Sequence, residues 1–301
     1  MFGLTILGNN SALPAHGRHP TAQVLSFGQH TVLIDCGEGT QIQMAALKVK
    51  RSRIHHIFIS HLHGDHYFGL PGLINSMALM GRTDPLNLYG PPELMPILQL
   101  QFNAAHTQLP FELAFTPIYQ AGMLVETPKF TVECFAVQHR IACWGYLFTE
   151  CKFKRKLNHE AAIAAGIPTT FFGRLQHGED YISAAGELIS NASVTFANTP
   201  ARSYAYCADT IFDTSLCTKL QGVNLLYHEA TYLSHLEERA KARFHSTAAQ
   251  AATIAKMAGV KKLLIGHFSS KYAELDQFLQ EAQAVFPQTD LALEGVTYRV
   301  I

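Results

Sequence analysis

Three histidines and one aspartate fall within six positions of the chain, and together they offer the donor set of a metal site: His61, His63, Asp65 and His66. The apolar residues 57–59 precede them and predict a short buried strand that ends in polar residues. His61 and His63 are two apart, so an extended backbone points both to the same side. One metal could take His61 and His63, and a second could take Asp65 and His66. Zinc accepts both imidazole nitrogen and carboxylate oxygen.

Further candidate ligands recur where other predicted strands end. Strand ends and the loops after them are where α/β proteins build their sites. A single histidine at a strand end is more often merely exposed or hydrogen-bonded, so the value of these residues lies in completing a centre. Two tetrahedral metals need more ligands than residues 61–66 supply, and further histidines with a bridging carboxylate would provide them. The candidates are Asp35, His139, Asp209, Glu229, His245 and His267.

Strands and helices alternate along the chain, which predicts the α/β class. The length of 301 residues and the 48% hydrophobic content suffice for a sizeable core. Strands are expected near residues 5–7, 22–27, 30–34, 57–59, 87–90, 129–137, 144–148, 204–208, 224–227 and 262–265. Helices are expected near residues 40–48, 69–80, 93–102, 159–165, 246–258 and 274–285.

The net charge and the cysteine pattern argue against a strongly basic nucleic-acid-binding protein and against a disulfide-linked one. Lysine plus arginine and aspartate plus glutamate both total 23, so nucleic-acid binding would have to come from local patches. The six cysteines form no C-x-x-C pair, which favours reduced thiols over a disulfide framework or a structural zinc site. Neither a signal peptide nor a bilayer-spanning apolar run is apparent. We therefore expect a soluble cytoplasmic protein without a membrane partner.

The H-x-H-x-D-H pattern of residues 61–66 resembles the signature of the metallo-β-lactamase superfamily. That resemblance implies a four-layer αββα sandwich with a metal site at one edge of the sheets. Longer motifs resemble ribonuclease Z, the family of endonucleases that cut the 3′ trailer from precursor tRNA. They span the chain at residues 7–14, 33–41, 65–73, 228–231, 245–248 and 266–272.

The resemblance assigns the metal ligands residue by residue. It implies two zinc ions per subunit, with manganese or iron as alternatives that accept the same ligands. Asp209 would bridge the two ions. The first ion would also bind His61, His63 and His139, and the second would bind Asp65, His66 and His267.

The same resemblance implies the catalytic roles. Asp65 would orient the attacking water or accept its proton, and Asp35 would orient a ligand histidine. Glu229 and His245 match the pair thought to assist departure of the leaving oxygen, with His245 as general acid. The products would be tRNA with a 3′-hydroxyl and a trailer with a 5′-phosphate.

Residues of about 150–197 are expected to form a flexible arm inserted into a single domain of residues 1–301. The family resemblance implies that this arm binds tRNA and that the protein is a homodimer. Without that context, the basic run is equally well an ordinary solvated loop. The chain also departs from the family pattern, because no Gly-Pro follows residues 166–168. The cations expected to contact phosphates are Lys152, Lys154, Arg155, Lys156 and Arg174.

Two other functions compete with this interpretation. A small-molecule phosphodiesterase or arylsulfatase of the same fold would share the metal site and would not need a basic arm. A non-enzymatic RNA-binding protein on an inherited fold would be favoured by a missing ligand, and none is missing.

Overall fold

Two seven-stranded sheets organise the larger of the two compact units in the computed structural model, which describes residues 2–301. The first strands along the chain are β1 (Phe2–Gly8), β2 (Ala22–Phe27), β3 (His30–Ile34), β4 (Ile54–Phe58), β5 (Leu86–Gly90), β6 (Leu113–Pro117), β7 (Gly122–Glu126), β8 (Phe130–Val137) and β9 (Cys143–Glu150). Four short strands of the smaller unit follow: β10 (Arg155–Leu157), β11 (Tyr181–Ile182), β12 (Leu188–Ile189) and β13 (Thr195–Ala197). The last strands are β14 (Ser203–Cys207), β15 (Leu225–Glu229), β16 (Leu263–Gly266), β17 (Thr289–Leu291) and β18 (Thr297–Arg299).

The two sheets have the spatial orders β18-β1-β2-β3-β4-β5-β6 and β17-β16-β15-β14-β9-β8-β7. Strands β3 to β6 run parallel in the first sheet, and β14 to β17 run parallel in the second. The helices are α1 (Thr40–Ala46), α2 (Gly64–Tyr67), α3 (Leu70–Leu79), α4 (Leu94–Ala104), α5 (His159–Ala164), α6 (Phe172–His177), α7 (Asn191–Val194), α8 (Leu216–Lys219), α9 (Glu237–Arg243), α10 (Ala248–Met257) and α11 (Asp276–Val285). None of them is long and apolar enough to cross a membrane.

Side-chain alternation along the strands builds four layers. On β3, Val32 and Ile34 belong to one hydrophobic cluster, whereas Leu33 between them belongs to another. The cluster of Leu33 also contains side chains of α1, α3 and α4, and the other cluster joins the two sheets to α10 and α11. The predicted αββα sandwich of the α/β class is therefore confirmed.

Aromatic contacts hold the two sheets face to face. The rings of Phe27 on β2 and Phe130 on β8 stack with centroids 4.7 Å apart. The Tyr146 hydroxyl on β9 donates a 2.7 Å hydrogen bond to the carbonyl of Ile59, which directly follows β4. Buried aromatic pairs of this kind stabilise a fold by about 0.5–1.5 kcal/mol beyond the area they bury. They fix the relative position of the strand ends from which the candidate ligands project.

The smaller unit comprises residues 127–129 and 150–201 and has its own hydrophobic cluster. Strands β10 and β13 pair antiparallel, and so do β11 and β12. The Asn158 side chain caps α5 by accepting a 3.1 Å hydrogen bond from the Ala161 N–H, which explains where this helix begins. The buried members of the cluster are Leu157, Ala162, Ile167, Leu175 and Val194.

Most predicted elements are present with small differences in their ends. Helix α10 begins at Ala248, two residues later than predicted, because Thr247 and Gln250 form a reciprocal capping box there. Strand β15 extends to Glu229, so His228 and Glu229 lie within the sheet and not in the loop after it. The sequence did not predict strands β6, β7, β10 to β13, β17 and β18 or helices α2, α6, α7, α8 and α9.

A close approach of two backbone segments places the residues 61–66 against the end of β3. The N–H of Cys36 donates to the carbonyl of His66 at 2.7 Å, and the N–H of Gly69 donates to the carbonyl of Cys36 at 2.9 Å. A side chain at residue 69 would bring its Cβ within 2.1 Å of the Gly37 carbonyl oxygen. Only glycine therefore fits at this position.

Replacing Gly69 with alanine is expected to destabilise the protein by roughly 1–3 kcal/mol or more, because the new methyl group collides with backbone. Gly72→Ala is the matched control, since its Cβ would meet no backbone and only the side-chain amide nitrogen of Gln41 at 3.1 Å. Thermal unfolding of the two variants checks this. Equal melting temperatures would show that the close approach at Gly69 does not constrain the fold.

Candidate metal centre

Residues at the ends of six strands, or just after them, lie close together at one place in the larger unit. Asp35 follows β3, and His61 to His66 follow β4 in the first sheet. In the second sheet, His139 follows β8, Asp209 follows β14, Glu229 ends β15 and His267 follows β16. The structure thus brings together all of the predicted metal ligands and the predicted Glu229–His245 pair.

The first group of donors contains His61, His63, His139 and Asp209. The Nδ1 of His63 lies 3.0 Å from the Nε2 of His61 and 3.1 Å from the Nε2 of His139. The Oδ2 of Asp209 lies 3.6 Å from the His61 Nε2 and 3.8 Å from the His139 Nε2. Ligands arranged tetrahedrally around zinc at its usual nitrogen distance are about 3.3 Å from one another, which these separations bracket.

The second group contains Asp65, His66 and His267. The Nε2 atoms of His66 and His267 are 3.3 Å apart, and the Asp65 Oδ2 lies 3.3 Å from the His267 Nε2. The other oxygen of Asp209, Oδ1, lies 3.4 Å from His66 and 3.3 Å from His267. Asp209 therefore presents one carboxylate oxygen to each group.

The outer hydrogen bonds of His66 and His139 fix which ring nitrogen faces the centre. The Nδ1 of His66 lies 2.7 Å from the Asp35 carboxylate, and the Nδ1 of His139 lies 2.8 Å from the carbonyl of Phe244. A carboxylate and a carbonyl can only accept, so each Nδ1 carries the proton. Each Nε2 is then the ring nitrogen that faces the centre, as in a metal-bound histidine.

Two hydroxyl groups impose the same tautomer on His61 and His267. The Ser60 hydroxyl donates to Asp35 at 2.8 Å, so it accepts from the His61 Nδ1 at 3.0 Å. The Thr231 hydroxyl donates to Glu229 at 2.8 Å and accepts from the His267 Nδ1 at 2.9 Å. Four histidines therefore turn their Nε2 atoms toward the centre, beside the carboxylates of Asp65 and Asp209.

A cation is the species that this arrangement fits. The Asp209 Oδ1 is buried and has no hydrogen-bond partner among the described residues. Burial opposes ionisation of Asp209, but His267 and His66 outweigh it and hold the pKa of this carboxyl well below its usual range. Burial lowers the pKa of His61 well below 6.5, and burial with the neighbouring His139 lowers that of His63 to about 4. Burial would lower the pKa of His66, but the carboxylates of Asp209 and Asp65 raise it well above 6.5, so this ring carries a proton that a bound metal would displace. Ionised carboxylates and neutral imidazoles are the forms in which these groups bind a metal.

His245 and Glu229 form a separate buried pair at the rim of the centre. The His245 Nδ1 lies 2.9 Å from the Glu229 Oε1, so Nδ1 carries a proton and Nε2 is the remaining site for a second. Burial would lower the pKa of His245, but the Glu229 carboxylate raises it to about 9. The N–H groups of Thr210, Thr231 and Ser246 also donate to Glu229. Glu229 is thereby held in one orientation toward His245.

Three residues at the centre have a left-handed backbone conformation that orients their side chain or carbonyl. Asp35 and His267 have φ angles of 55° and 61°. Phe244, whose carbonyl holds His139, has φ 58°. Such conformations cost about 1–3 kcal/mol each for residues other than glycine and tend to occur at functional sites. At Asp35 and His267 the turn directs a side chain into the centre at the point where a strand ends.

A cavity of about 390 Å³ opens over the centre. Its wall includes His63, Asp65, Asp209 and His245. The exposed guanidinium of Arg140 also lines it and makes no ion pair with the residues that the structure describes. The cavity can therefore admit an anionic group directly above the converging ligands.

The five predicted phosphate-contacting cations all lie in the smaller unit, and three of them are engaged there. Lys152 contacts the Glu150 carboxylate at 3.0 Å, and the Arg155 Nε donates to the Thr195 hydroxyl at 2.7 Å. Arg174 contacts the Glu179 carboxylate at 2.6 Å and also lies over the ring of Phe171. Lys154 and Lys156 are exposed, and within residues 2–301 neither has an ion pair.

The sequence predicted the candidate ligands and one group that orients them, Asp35, but not the other orienting groups. Ser60, Thr231 and the Phe244 carbonyl carry the hydrogen bonds that set the tautomers. Tyr206 donates a 2.6 Å hydrogen bond to the Asp35 carboxylate from within β14. Ser60 and Thr231 adjoin the histidine motifs in sequence, so their position was a usable signal. Nothing in the sequence pointed to the Phe244 carbonyl or to Tyr206.

Comparison with known proteins places this geometry in a family context. Residues 2–288 match the family model described as "Anti-Pycsar protein Apyc1". The chain is 42% identical to ribonuclease Z of Bacteroides fragilis over 297 residues, which cover 98% of each chain. It is also 42% identical to ribonuclease Z of Porphyromonas gingivalis over 295 residues, or 97% of each chain. The crystal structure of the short form of human tRNase Z superposes with TM-score 0.73 and 26% identity, and the match covers 99% of both chains.

Substituting one candidate ligand and the rim histidine separates their roles. His63→Ala is expected to lower the metal content of the purified protein, because it deletes a donor that faces two other histidines. His245→Ala is expected to keep the metal content, because His245 belongs to neither of the two donor groups described above and its ring nitrogen nearest Asp209, Nδ1 at 4.0 Å, is hydrogen-bonded to Glu229. Elemental analysis after dialysis measures both. Metal loss in His245→Ala would make this residue a ligand together with Asp209 and His267, the third possible donor group.

Proposed function

This chain belongs to the ribonuclease Z family and also falls within the family described as Anti-Pycsar protein Apyc1, and we propose how its residues remove the 3′ trailer of precursor tRNA. The protein is an endoribonuclease of tRNA 3′ processing, as its full-length relatives are named. The observation that carries the proposed chemistry is the pair of donor groups that share Asp209.

The proposed cofactor is a pair of zinc ions, with manganese or iron as substitutes. His61, His63 and His139 would hold one ion, Asp65, His66 and His267 would hold the other, and Asp209 would contact both. When bound, such ions activate water and neutralise charge on the phosphodiester. Asp65 is proposed to orient the attacking water or to accept its proton, and the N–H of Ala12 holds its Oδ2 by a 2.7 Å hydrogen bond.

His245 is proposed as the general acid for the leaving group. Cleavage breaks the bond between phosphorus and the 3′ oxygen of the tRNA, and water supplies the new oxygen on phosphorus. The 3′ oxygen needs a proton as it departs, and the Nε2 of His245 can give one. Glu229 supports this step because its carboxylate contacts the Nδ1 and stabilises the imidazolium. The tRNA then ends in a 3′-hydroxyl and the trailer begins with a 5′-phosphate.

The alternative of a small-molecule phosphodiesterase or arylsulfatase is not favoured. The fold and the metal centre would serve such enzymes equally. However, relatives that are about 40% identical over nearly the whole chain are named for the ribonuclease.

We further propose that the protein acts as a homodimer in the cytoplasm. Helices α1 and α3 expose the apolar side chains of Ile42 and Leu79, which are 68% and 81% accessible. Burying them against a second copy would be favourable. Cys36, Cys134, Cys143, Cys207 and Cys217 are free thiols, and such thiols suit a reducing compartment. A mass of one chain in light scattering would contradict the dimer.

The smaller unit, residues of about 150–201, is proposed as the inserted arm that binds tRNA. The cations Lys152, Lys154, Arg155, Lys156 and Arg174 would contribute its positive charge. Lys154 and Lys156 are the best placed to pair with phosphates, because the other three already have partners in this unit.

A 3′-extended precursor tRNA is expected to be cut once, at the end of the tRNA body, by the zinc- or manganese-loaded protein. End mapping should find a 3′-hydroxyl and a 5′-phosphate, and a chelator should abolish the cut. His245→Ala should lower the rate by about 10²–10⁴-fold, the usual contribution of a general acid. Hydrolysis of a small phosphodiester without any cut in precursor tRNA would shift the function to the alternative.

Removing both exposed arm lysines, in the double variant Lys154→Ala and Lys156→Ala, is expected to raise the KM for precursor tRNA and leave kcat unchanged. The dependence of KM on salt should also weaken, because each lost phosphate contact lowers the logarithmic slope by roughly 0.7–0.9. Lys50→Ala is the control for charge removal elsewhere. Unchanged KM and salt dependence in the double variant would exclude these lysines from the tRNA interface.

A further inference from the structure

His245 lines two cavities, and only one of them lies over the candidate metal ligands. The cavity of about 390 Å³ is lined by His63, Asp65 and Asp209 as well as His245. A second cavity, of about 230 Å³, meets His245 but contains none of the metal ligands. Its other lining residues are Ile211, Phe212, Glu237, Lys241 and Gln250.

Each product of the proposed reaction keeps one of the reacting atoms, and this indicates which cavity that product occupies. This step rests on the proposed function. The phosphorus that receives the water oxygen stays with the trailer as its 5′-phosphate. The 3′ oxygen that accepts the proton from His245 stays with the last nucleotide of the tRNA. The ribose of that nucleotide must therefore lie beside His245, on the side away from the metal ligands.

We propose that the cavity of Phe212 and Lys241 binds the last nucleotide of the tRNA body, 5′ to the cut. Its base stacks on the ring of Phe212, and the phosphate on its 5′ side pairs with the ammonium of Lys241. The first trailer nucleotide lies on the other side of His245, over the metal ligands. An unpaired nucleotide base is recognised mainly by stacking on aromatic side chains, and its phosphates by cations.

Phe212 is presented to this cavity by a loop that is fixed on both sides. The Ile211 N–H donates to the Gln138 carbonyl at 3.0 Å, and the Gln138 amide donates to the Asp213 carboxylate at 2.9 Å. The loop begins at Asp209, the shared carboxylate, only three residues before Phe212. The ring is 37% exposed. It therefore offers a preorganised apolar surface at a set distance from the reacting centre.

The cavity contains two side chains of opposite charge, Lys241 and Glu237, and their contacts decide which of them is available to the phosphate. Lys241 is exposed on α9, and no carboxylate within the described part of the chain forms an ion pair with it. The acidic residue of the cavity, Glu237, instead accepts a 3.0 Å hydrogen bond from the Gln250 amide. Gln250 is held in turn because its Oε1 accepts from the Thr247 N–H at 3.0 Å. The cation free to bind a phosphate is thus Lys241.

Product inhibition tests the proposal, because each product should bind in one cavity. Two competitors of precursor cleavage are used: tRNA that ends in a 3′-hydroxyl after its body, and a 5′-phosphorylated trailer oligonucleotide. Phe212→Ala is expected to raise the Ki of the tRNA product roughly tenfold, the loss of one base stack, and to leave the Ki of the trailer unchanged. Phe212→Leu should show a smaller rise, since it keeps the apolar contact without the aromatic face.

Lys241→Ala is expected to raise the Ki of the tRNA product and to flatten its salt dependence by roughly one phosphate contact, whereas Lys241→Arg should restore both. Lys256→Ala, an exposed lysine about 13 Å further along α10 from Thr247, is the control. Metal content and melting temperature should match those of the unmodified protein in all variants. Unchanged tRNA Ki values, or a selective rise for the trailer, would overturn the proposed subsite while cleavage itself stands. Failure of the unmodified protein to cleave would instead overturn both proposals.

Discussion

The buried negative charge of Asp209 is the constraint on which the rest of the centre depends. Its side chain is almost wholly removed from solvent, and one oxygen has no hydrogen-bond donor in the described residues. An ionised carboxylate in that state costs several kcal/mol unless positive charge compensates it, and that charge comes from the protonated ring of His66 or from a bound metal cation. The neighbouring groups suit a metal cation, since the histidines around Asp209 each turn one ring nitrogen toward the centre and Asp65 adds a further negative charge.

Two carboxylates that lie outside the donor groups, Asp35 and Glu229, orient the donor side chains. Asp35 receives hydrogen bonds from His66, Ser60 and Tyr206, and through Ser60 it also orients His61. Asp35 thus serves one histidine in each donor group. Glu229 plays the equivalent role in the second sheet, where it acts on His267 through the Thr231 hydroxyl. Because Glu229 also contacts His245 directly, one carboxylate positions both a ligand and the proposed acid.

Many of the elements and the cluster of candidate ligands could be predicted from the sequence because both depend on short-range patterns. Alternation and apolar runs predicted the hairpin of residues 22–34 with its observed ends. The motif at residues 61–66 identified the centre because its spacing is rare by chance. Edge strands such as β7, which is largely exposed, lack a periodic apolar signal and had no counterpart in the sequence-based assignment.

Contacts between distant segments, such as Tyr206 with Asp35, arise only when the two sheets pack. The second cavity beside His245 likewise depends on how α9 lies against the loop after Asp209.

The most direct test of this account is anomalous diffraction at the zinc edge from crystals of the zinc-loaded protein. Two peaks are expected, one for each oxygen of Asp209. The first should be bound by His61, His63 and His139, and the second by Asp65, His66 and His267. A single peak, or a peak coordinated by His245, would contradict the claim that Asp209 joins two metal sites and that His245 remains available as an acid.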